Sequence, residues 1–320
     1  MKRWLAFCSV MALMTSMTAG CFAGSTQPTH RVALILQESP YEFWINVKQG
    51  ADAGAAEFGV QLLQYANMVG PMNAEKQIES LRLALEDGVD AVVISPIDSV
   101  ELERLIKQSR NSGTPVVSIH SGSVTNPFRV TEDYEQTAEL ALEALKSVSD
   151  GGEIALINAG STDLPLSARQ QALVDRFANH PEFRIAETLV TADDKRIVME
   201  QVKTMLEQRK GISAMIGICE GCAIGAALAV RDLGLAEQTA VIGFDSTDSA
   251  IHMLEEEWLD AMIVQNSFAM GYLGVKMVAE ILDGHRKEKD GPIYTQSVII
   301  YKESLQLPEY QKMLYPFVNR

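Results

Sequence analysis

The chain has 320 residues and a formal net charge of −15. A field of that sign repels phosphate backbones and anionic lipid headgroups, which argues against nucleic acid as a partner. The length is enough for two domains with separate hydrophobic cores.

The N-terminus has the outline of an export signal over residues 1–24. A basic start and an uncharged run over 4–14 precede smaller and more polar residues. Thr18–Cys21 resembles the bacterial lipobox, in which cleavage before the cysteine leaves it acylated, although Leu is usual where Thr18 stands. The alternative is ordinary cleavage after Ala23, with Cys21 discarded. Both alternatives predict an exported protein, located in the periplasm or on the outer face of the cytoplasmic membrane.

Apolar runs alternate with amphipathic stretches of helical period along the rest of the chain. "RVALIL" over 31–36 predicts a strand covered on both faces, and the spacing of apolar residues over 42–58 predicts a helix. This unit recurs up to Gln265, and a helix over 268–282 and a strand "TQSVIIY" follow. Strands joined by helices are parallel, so two consecutive series predict an α/β protein with two doubly wound sheets.

Ligands of open parallel sheets bind outside the carboxyl ends of the strands. The residues that follow the predicted strands are aromatic and polar and carry both charge signs. They are Ser39–Trp44, Ser95–Asp98, His120, Ser121, Asn158–Arg169, Cys219, Glu220, Asp245 and Gln265.

Five segments are similar to one family of binding proteins. "SPYEFWINVKQGA", "VDAVVISPIDS", "PVVSIH", "CAIGAALAV" and "VIGFDST" resemble, in order and spacing, the ribose-type and galactose-type sugar receptors of the type I periplasmic binding protein family. The resemblance implies two Rossmann-like lobes, a three-segment hinge and a cleft between the lobes. It places 31–131 plus 266–292 in an N-terminal lobe, and 132–265 plus 293–320 in a C-terminal lobe.

The resemblance gives the aromatic residues a stacking role. The C–H face of a sugar packs on an aromatic ring, whereas its hydroxyl groups need directional partners. Phe43 and Trp44 take the stacking role, and Tyr41 is included as a polar contact. Phe43 alone could be a core residue of an amphipathic helix, but neighbours on a helix point about 100° apart and cannot both face one sheet.

Three polar residues match ligand contacts of the family. Asp245 can accept two hydroxyl hydrogen bonds, and the alternative role of capping the next helix already suits Asp248. Arg169 can bridge two oxygens with its planar guanidinium, or form a surface ion pair. Gln265 stands at a hinge crossing and could serve only the hinge backbone.

Two positions depart from the family pattern. His120 stands where many relatives carry Asp or Arg, and Cys219 stands where Asn is common, which leaves Glu220 beside it. The donors and acceptors therefore differ from those of a ribose or galactose receptor, and the sequence does not name the ligand.

The Cys219–Cys222 stretch also has the C-x-x-C spacing of redox and zinc sites. The thioredoxin pattern around it is missing, and the histidines are not spaced as a second pair of zinc ligands. We expect Cys222 to be buried and Cys219 to border the cleft, with a local disulfide left open.

Together these features predict a receptor rather than an enzyme, with no cofactor and no metal. We expect a monomer that closes on a sugar-like ligand and delivers it to an ABC transporter permease, or else docks on the ectodomain of a sensor kinase. A lipid on Cys21 would be its only membrane attachment.

Enzymatic alternatives are thiol redox chemistry through the cysteines, or hydrolysis by Glu220 and Asp245, and no catalytic motif supports them. A sugar-responsive repressor would carry a helix-turn-helix where this chain has its leader.

Overall fold

The computed structural model describes residues 30–37, 42–65, 72–97, 99–121, 125–160, 164–192 and 194–315. The predicted leader, the lipidation site Cys21 and the predicted contact Tyr41 lie outside the described residues. Among the described residues, no helix has the length and apolar character needed to cross a bilayer.

The first part of the chain alternates strands and helices as the apolar pattern predicts. One strand escaped the sequence analysis, because Arg129–Glu132 is short and mostly polar and lacks the apolar run used as the signal. The elements are β1 (His30–Ile35), α1 (Glu42–Phe58), β2 (Val60–Gln64), α2 (Ala74–Glu86), β3 (Ala91–Ile94), α3 (Val100–Asn111), β4 (Val116–Ile119) and β5 (Arg129–Glu132).

The second part repeats the same alternation after a helix. Its elements are α4 (Tyr134–Val148), β6 (Gly152–Ala159), α5 (Leu164–Phe177), β7 (Phe183–Thr191), α6 (Lys195–Gln208), β8 (Ile212–Gly217), α7 (Glu220–Asp232), β9 (Ala240–Phe244), α8 (Asp248–Glu255) and β10 (Ala261–Gln265).

The C-terminal part contributes to both sheets. The sequence analysis treated 295–301 as one strand, but the structure has two short strands here, separated at Gln296. The elements are α9 (Ser267–Leu282), β11 (Ile293–Thr295), β12 (Ser297–Ile300) and α10 (Pro308–Leu314).

Two six-stranded sheets result, with the same internal order. The first runs β2-β1-β3-β4-β5-β11 and the second runs β7-β6-β8-β9-β10-β12. The pairs in the first sheet are all parallel, whereas β12 runs antiparallel to β10. Each strand of one sheet therefore has a topological equivalent in the other, and β4 corresponds to β9.

Over residues 30–315, the described parts of the chain pass between the sheets three times. The crossings lie at Asp133, between β5 and α4, at Asn266, between β10 and α9, and at Gln296, between β11 and β12. The family resemblance placed the first crossing after residue 131, but Glu132 is the last residue of β5 in the first sheet. The resemblance placed the third crossing after residue 292. The structure places it at Gln296 instead, since β11 pairs with β5 of the first sheet.

Glycine allows close packing of two helices in the first lobe. A Cβ on Gly50 of α1 would collide with the Phe268 carbonyl, and a Cβ on Gly271 of α9 would collide with the Val47 carbonyl. Helix α1, near the start of the chain, is thereby packed against α9, which follows the second crossing. This contact fixes the helix whose first turn carries Phe43 and Trp44.

Candidate ligand-binding cleft

Equivalent strand ends in the two lobes carry the same backbone turn. His120 follows β4 with φ 63°, and Asp245 follows β9 with φ 72°. The His120 N–H donates to the Val130 carbonyl over 2.9 Å, and the Asp245 N–H donates to the Ile263 carbonyl over 3.1 Å. Non-glycine residues adopt positive φ at a cost of about 1–3 kcal/mol, and such residues are enriched at functional sites. Among the described residues Glu257 also has positive φ, but it is exposed, whereas His120 and Asp245 share the turn at equivalent strand ends.

Three rings form an aromatic cluster on the first lobe. The ring centroids lie 4.9 Å apart for Phe43 and Trp44, 5.0 Å for Phe43 and His120, and 5.3 Å for Trp44 and His120, all edge to face. Both Phe43 and Trp44 are only partly buried and also pack against the lobe's core. The structure thus brings these predicted residues together with His120 at one strand end.

His120 is an uncharged member of this cluster. Burial, followed by the positive charge of Arg169, lowers the pKa of His120 from 6.5 to about 3. Part of the residue's surface remains accessible, but its Nδ1 is enclosed and has no hydrogen-bond partner among the described residues. A neutral imidazole with an unused ring nitrogen is a directional partner for a hydroxyl group.

Arg169 reaches the same region from α5 of the second lobe. Its Nε and Nη2 donate to the two carboxylate oxygens of Glu132 over 3.3 and 2.8 Å, and its Nη1 donates to the Ile218 carbonyl over 2.6 Å. The guanidinium carbon lies 4.5 Å from the ring centroid of Phe244. Burial opposes the charge on Arg169, but the carboxylates of Glu132 and Asp245 outweigh it and raise the pKa of the guanidinium. The ion pair considered as an alternative for Arg169 exists, but it is buried and joins the two lobes.

Sequence reasoning missed Glu132. It ends β5, one residue before the first crossing, and only 2% of its side chain is exposed. A signal was present, because Glu132 stands at the carboxyl end of a strand. The signal was lost because β5 itself was not recognised.

A second polar pair lies beside the hinge. The Gln265 Nε2 donates to the Asp245 Oδ1 over 2.9 Å, while the Gln265 Oε1 is buried and unpartnered among the described residues. The alternative capping role of Asp245 is not seen, since Thr247 caps α8 by accepting from the Ala250 N–H. The cap was expected at Asp248, which instead lies in the first turn of α8.

The start of α7 combines a disulfide with a carboxylate. Cys219 and Cys222 are bonded to each other, and both pack within the second lobe's core. Cys219 therefore has no free thiol to offer a ligand or a redox partner in this state. Glu220 accepts a hydrogen bond from the Thr247 hydroxyl over 2.8 Å, which holds its carboxylate near the end of β9.

Further polar atoms at strand ends have unused hydrogen-bonding capacity. Buried polar atoms normally have hydrogen-bond partners. Unpartnered atoms at the carboxyl ends of the strands therefore suit a ligand rich in hydroxyl groups. Besides His120 and Gln265, the unpartnered atoms in the described part of the chain include the Ser95 Oγ after β3, the Asn158 Oδ1 near the end of β6 and the Thr191 Oγ1 at the end of β7.

Glutamines fix the loops of the first lobe behind the cleft. The Gln77 side chain donates to the Ser95 carbonyl and accepts from the Ile97 N–H, each over 2.7 Å. Gln37 donates to the Pro96 carbonyl and to the Ser121 hydroxyl. No sequence signal distinguished Gln77 from the other polar residues of α2.

Metal binding has no support in the described part of the chain. Within it, no group of three His, Cys, Asp or Glu side chains is arranged to hold a metal ion. The site offers stacking surfaces and hydrogen bonds.

The family assignment follows from this architecture. A family model for the periplasmic binding protein domain matches residues 32–286, most of the chain. The chain therefore belongs to the periplasmic binding protein family, as the sequence motifs predicted. This is a family of exported sugar-binding transport receptors rather than enzymes, so the prediction of a non-catalytic, exported protein is also confirmed.

Among characterised relatives, the D-ribose/D-allose-binding protein of Pseudomonas aeruginosa is 25% identical over 311 residues, which cover 92% of this chain and 96% of that protein. An ABC transporter solute-binding protein of Agrobacterium vitis, solved with bound α-D-tagatopyranose, superposes with a TM-score of 0.78 at 22% identity and covers 89% of this chain and 99% of its own. GanP, a glucose-galactose binding protein of Geobacillus stearothermophilus, has a TM-score of 0.78 at 25% identity, with coverage of 87% and 99%. These similarities confirm the predicted α/β fold with two lobes.

Proposed function

We propose that this protein captures a small uncharged sugar or polyol between its lobes and delivers it to an ABC permease. One observation carries the proposal. An aromatic cluster at the end of β4 stands at the strand end topologically equivalent to the carboxylate at the end of β9. The relatives described above bind ribose, allose, tagatose, glucose or galactose, which supports a carbohydrate ligand.

We call the cluster of Phe43, Trp44 and His120 the aromatic wall of the cleft, and the Asp245 side, with Gln265 and Arg169, the charged wall. The two walls suit the two kinds of surface on a sugar. The rings of Phe43 and Trp44 offer apolar faces and edges for the C–H groups. Asp245 offers a carboxylate, whose hydrogen bonds to hydroxyl groups are the stronger, charge-assisted kind. His120 and Gln265 supply further neutral donors and acceptors.

Hinge closure is the mechanism that this architecture supports. In the described part of the chain, only the single-residue crossings at Asp133, Asn266 and Gln296 join the two sheets, so φ and ψ changes there can rotate one lobe against the other. A ligand that touches both walls binds the closed form more tightly, and this differential affinity drives closure. We also assign Cys219 and Glu220 to the rim of the site through their place after β8, and Tyr41 through its place before α1.

The ligand is identified by a thermal-shift screen of the mature protein against pentoses, hexoses and sugar alcohols, followed by calorimetry. A ligand that binds only the folded state raises the melting temperature. Trp44→Ala and Asp245→Asn should each weaken the binding of the best sugar by about 10- to 100-fold, since each removes about 1.5–3 kcal/mol of contact free energy. Phe58→Leu, at the other end of α1, keeps an apolar side chain against Tyr272 of α9; it is the aromatic control and should leave affinity unchanged. Unchanged affinity in both cleft variants would contradict the proposal.

Neighbouring genes for a permease and its ATPase would support delivery, and that permease, reconstituted in liposomes, tests it. The sugar-loaded receptor should stimulate ATP hydrolysis and uptake. Stimulation of a sensor kinase in place of uptake would assign the signalling output instead. Mass spectrometry of the exported protein decides whether the N-terminus is an acylated Cys21, and size-exclusion chromatography with light scattering tests the proposed monomer.

A further inference from the structure

The guanidinium of Arg169 is committed to partners within the protein. Two of its nitrogens bind Glu132, a third binds the Ile218 carbonyl, and one face of the group lies over Phe244. Both side chains of the ion pair are 2% exposed. The only buried cation that the described residues place in the cleft is thus held by a bidentate carboxylate from the opposite lobe.

The other charged groups that the described residues place near Arg169 and the end of β9 are carboxylates. Asp245 lies close enough to act electrostatically on Arg169, and Glu220 is held beside the end of β9 by Thr247. His120, the other basic residue of the site, is neutral. An anionic ligand would therefore meet more carboxylates than cations, and the charge of the buried guanidinium is already balanced by Glu132.

We propose that Glu132 is a specificity-determining residue that makes the cleft reject anionic sugars, such as uronates, aldonates and sugar phosphates, and accept their uncharged counterparts. It acts through Arg169, by neutralising the guanidinium and fixing its plane, so that the N–H groups left over serve a hydroxyl as ordinary donors. This inference rests on the proposed function, because it names the charge class of the sugar that the same cleft binds.

Glu132→Gln keeps the size of the side chain and removes the charge. The guanidinium then keeps only the weaker influence of the Asp245 carboxylate and attracts an anion more strongly than in the wild type. We expect the variant to bind D-galacturonate at least about tenfold more tightly than the wild type does, because a charge pair of this kind contributes more than about 1.4 kcal/mol. The matched neutral probe is D-galactose, which has a hydroxymethyl group in place of the C6 carboxylate of D-galacturonate. Its affinity should change less. Calorimetry on both proteins gives the four constants.

A second arm does not depend on which sugar is bound. Sodium phosphate, compared with sodium chloride at equal ionic strength, should raise the melting temperature of Glu132→Gln by several degrees more than that of the wild type. The double variant Glu132→Gln/Arg169→Gln lacks both charges and should lose this phosphate effect and the galacturonate gain. Glu132→Asp keeps the charge and should keep the rejection of galacturonate.

The outcomes separate the two proposals. A folded Glu132→Gln that rejects galacturonate and phosphate as the wild type does overturns this inference, even if the wild type binds a sugar. If no sugar binds the wild type, the proposed function fails, and the phosphate arm still decides the role of Glu132. If Glu132→Gln folds in neither salt, the wild type decides through three pairs: D-galactose with D-galacturonate, D-ribose with D-ribonate, and D-ribose with D-ribose 5-phosphate. Tighter or equal binding of the anion in any pair overturns the inference, and preference for the neutral sugar supports it.

Discussion

The two lobes share one topology but place different chemistry at the same strand end. After β4 the left-handed residue is His120, neutral and surrounded by Phe43 and Trp44. After β9 it is Asp245, paired with Gln265 and near Arg169. The shared backbone turn positions a side chain at the cleft, while the identity of that side chain sets what the wall can bind. The scaffold therefore fixes where the ligand contacts occur, and the residues at each strand end fix the type of contact.

The largest test of this difference removes the cation from the charged wall. Arg169→Met would leave Glu132 buried without its partner, which costs about 3–5 kcal/mol of folding free energy. Urea unfolding followed by circular dichroism should show this loss. Glu132→Gln/Arg169→Met should recover much of it, because neither charge then remains unpaired. An Arg169→Met variant as stable as the wild type would show that the Arg169–Glu132 ion pair is unimportant for the charged wall of the cleft.

The second test concerns the support of the aromatic wall. Gly271→Ala introduces a methyl group against the Val47 carbonyl and should separate α1 from α9. Overpacking of this kind costs about 1–3 kcal/mol. Gly225→Ala, whose Cβ would press on Val198 in the second lobe, is the matched change in the other lobe. In a Trp258→Phe background of the mature protein, tryptophan emission from Trp44 should shift with Gly271→Ala and stay constant with Gly225→Ala.

The smallest effect is the pH dependence of the neutral imidazole. The pKa of His120 is 6.5 in its ordinary state and about 3 in the folded protein, so between these values the unfolded chain binds the extra proton. The contribution of His120 to stability is therefore complete above pH 6.5 and is lost as the pH falls toward 3, by no more than about 1.4 kcal/mol per pH unit.

His120→Asn is the matched control for this effect, since Asn also tolerates positive φ and does not titrate. The wild type should lose stability more steeply than this variant below pH 6.5, measured by urea unfolding from pH 7.5 to 4.5. Parallel curves for the two proteins would show that His120 is protonated as easily in the folded state as in the unfolded chain.

Much of the fold could be predicted because the spacing of apolar residues in the sequence follows the period of each strand or helix. Buried parallel strands such as 31–36 are continuous apolar runs, and helices such as 42–58 repeat at 3.6 residues. The exceptions have physical reasons. Arg129–Glu132 has no apolar run, and the apolar stretch around 297–300 gives no local sign that the chain changes sheets at Gln296.

The sequence alone determined the α/β class, the two lobes, the family, the helix that carries Trp44 and the strand ends at which His120, Asp245 and Gln265 stand, because these depend on local patterns. Only the tertiary structure decided that Arg169 is paired with Glu132 across the lobes, that Cys219 is bonded to Cys222, and that His120 joins an aromatic cluster. Burial and the pairing of charges depend on which residues distant in the chain come into contact, and a local pattern contains no record of that.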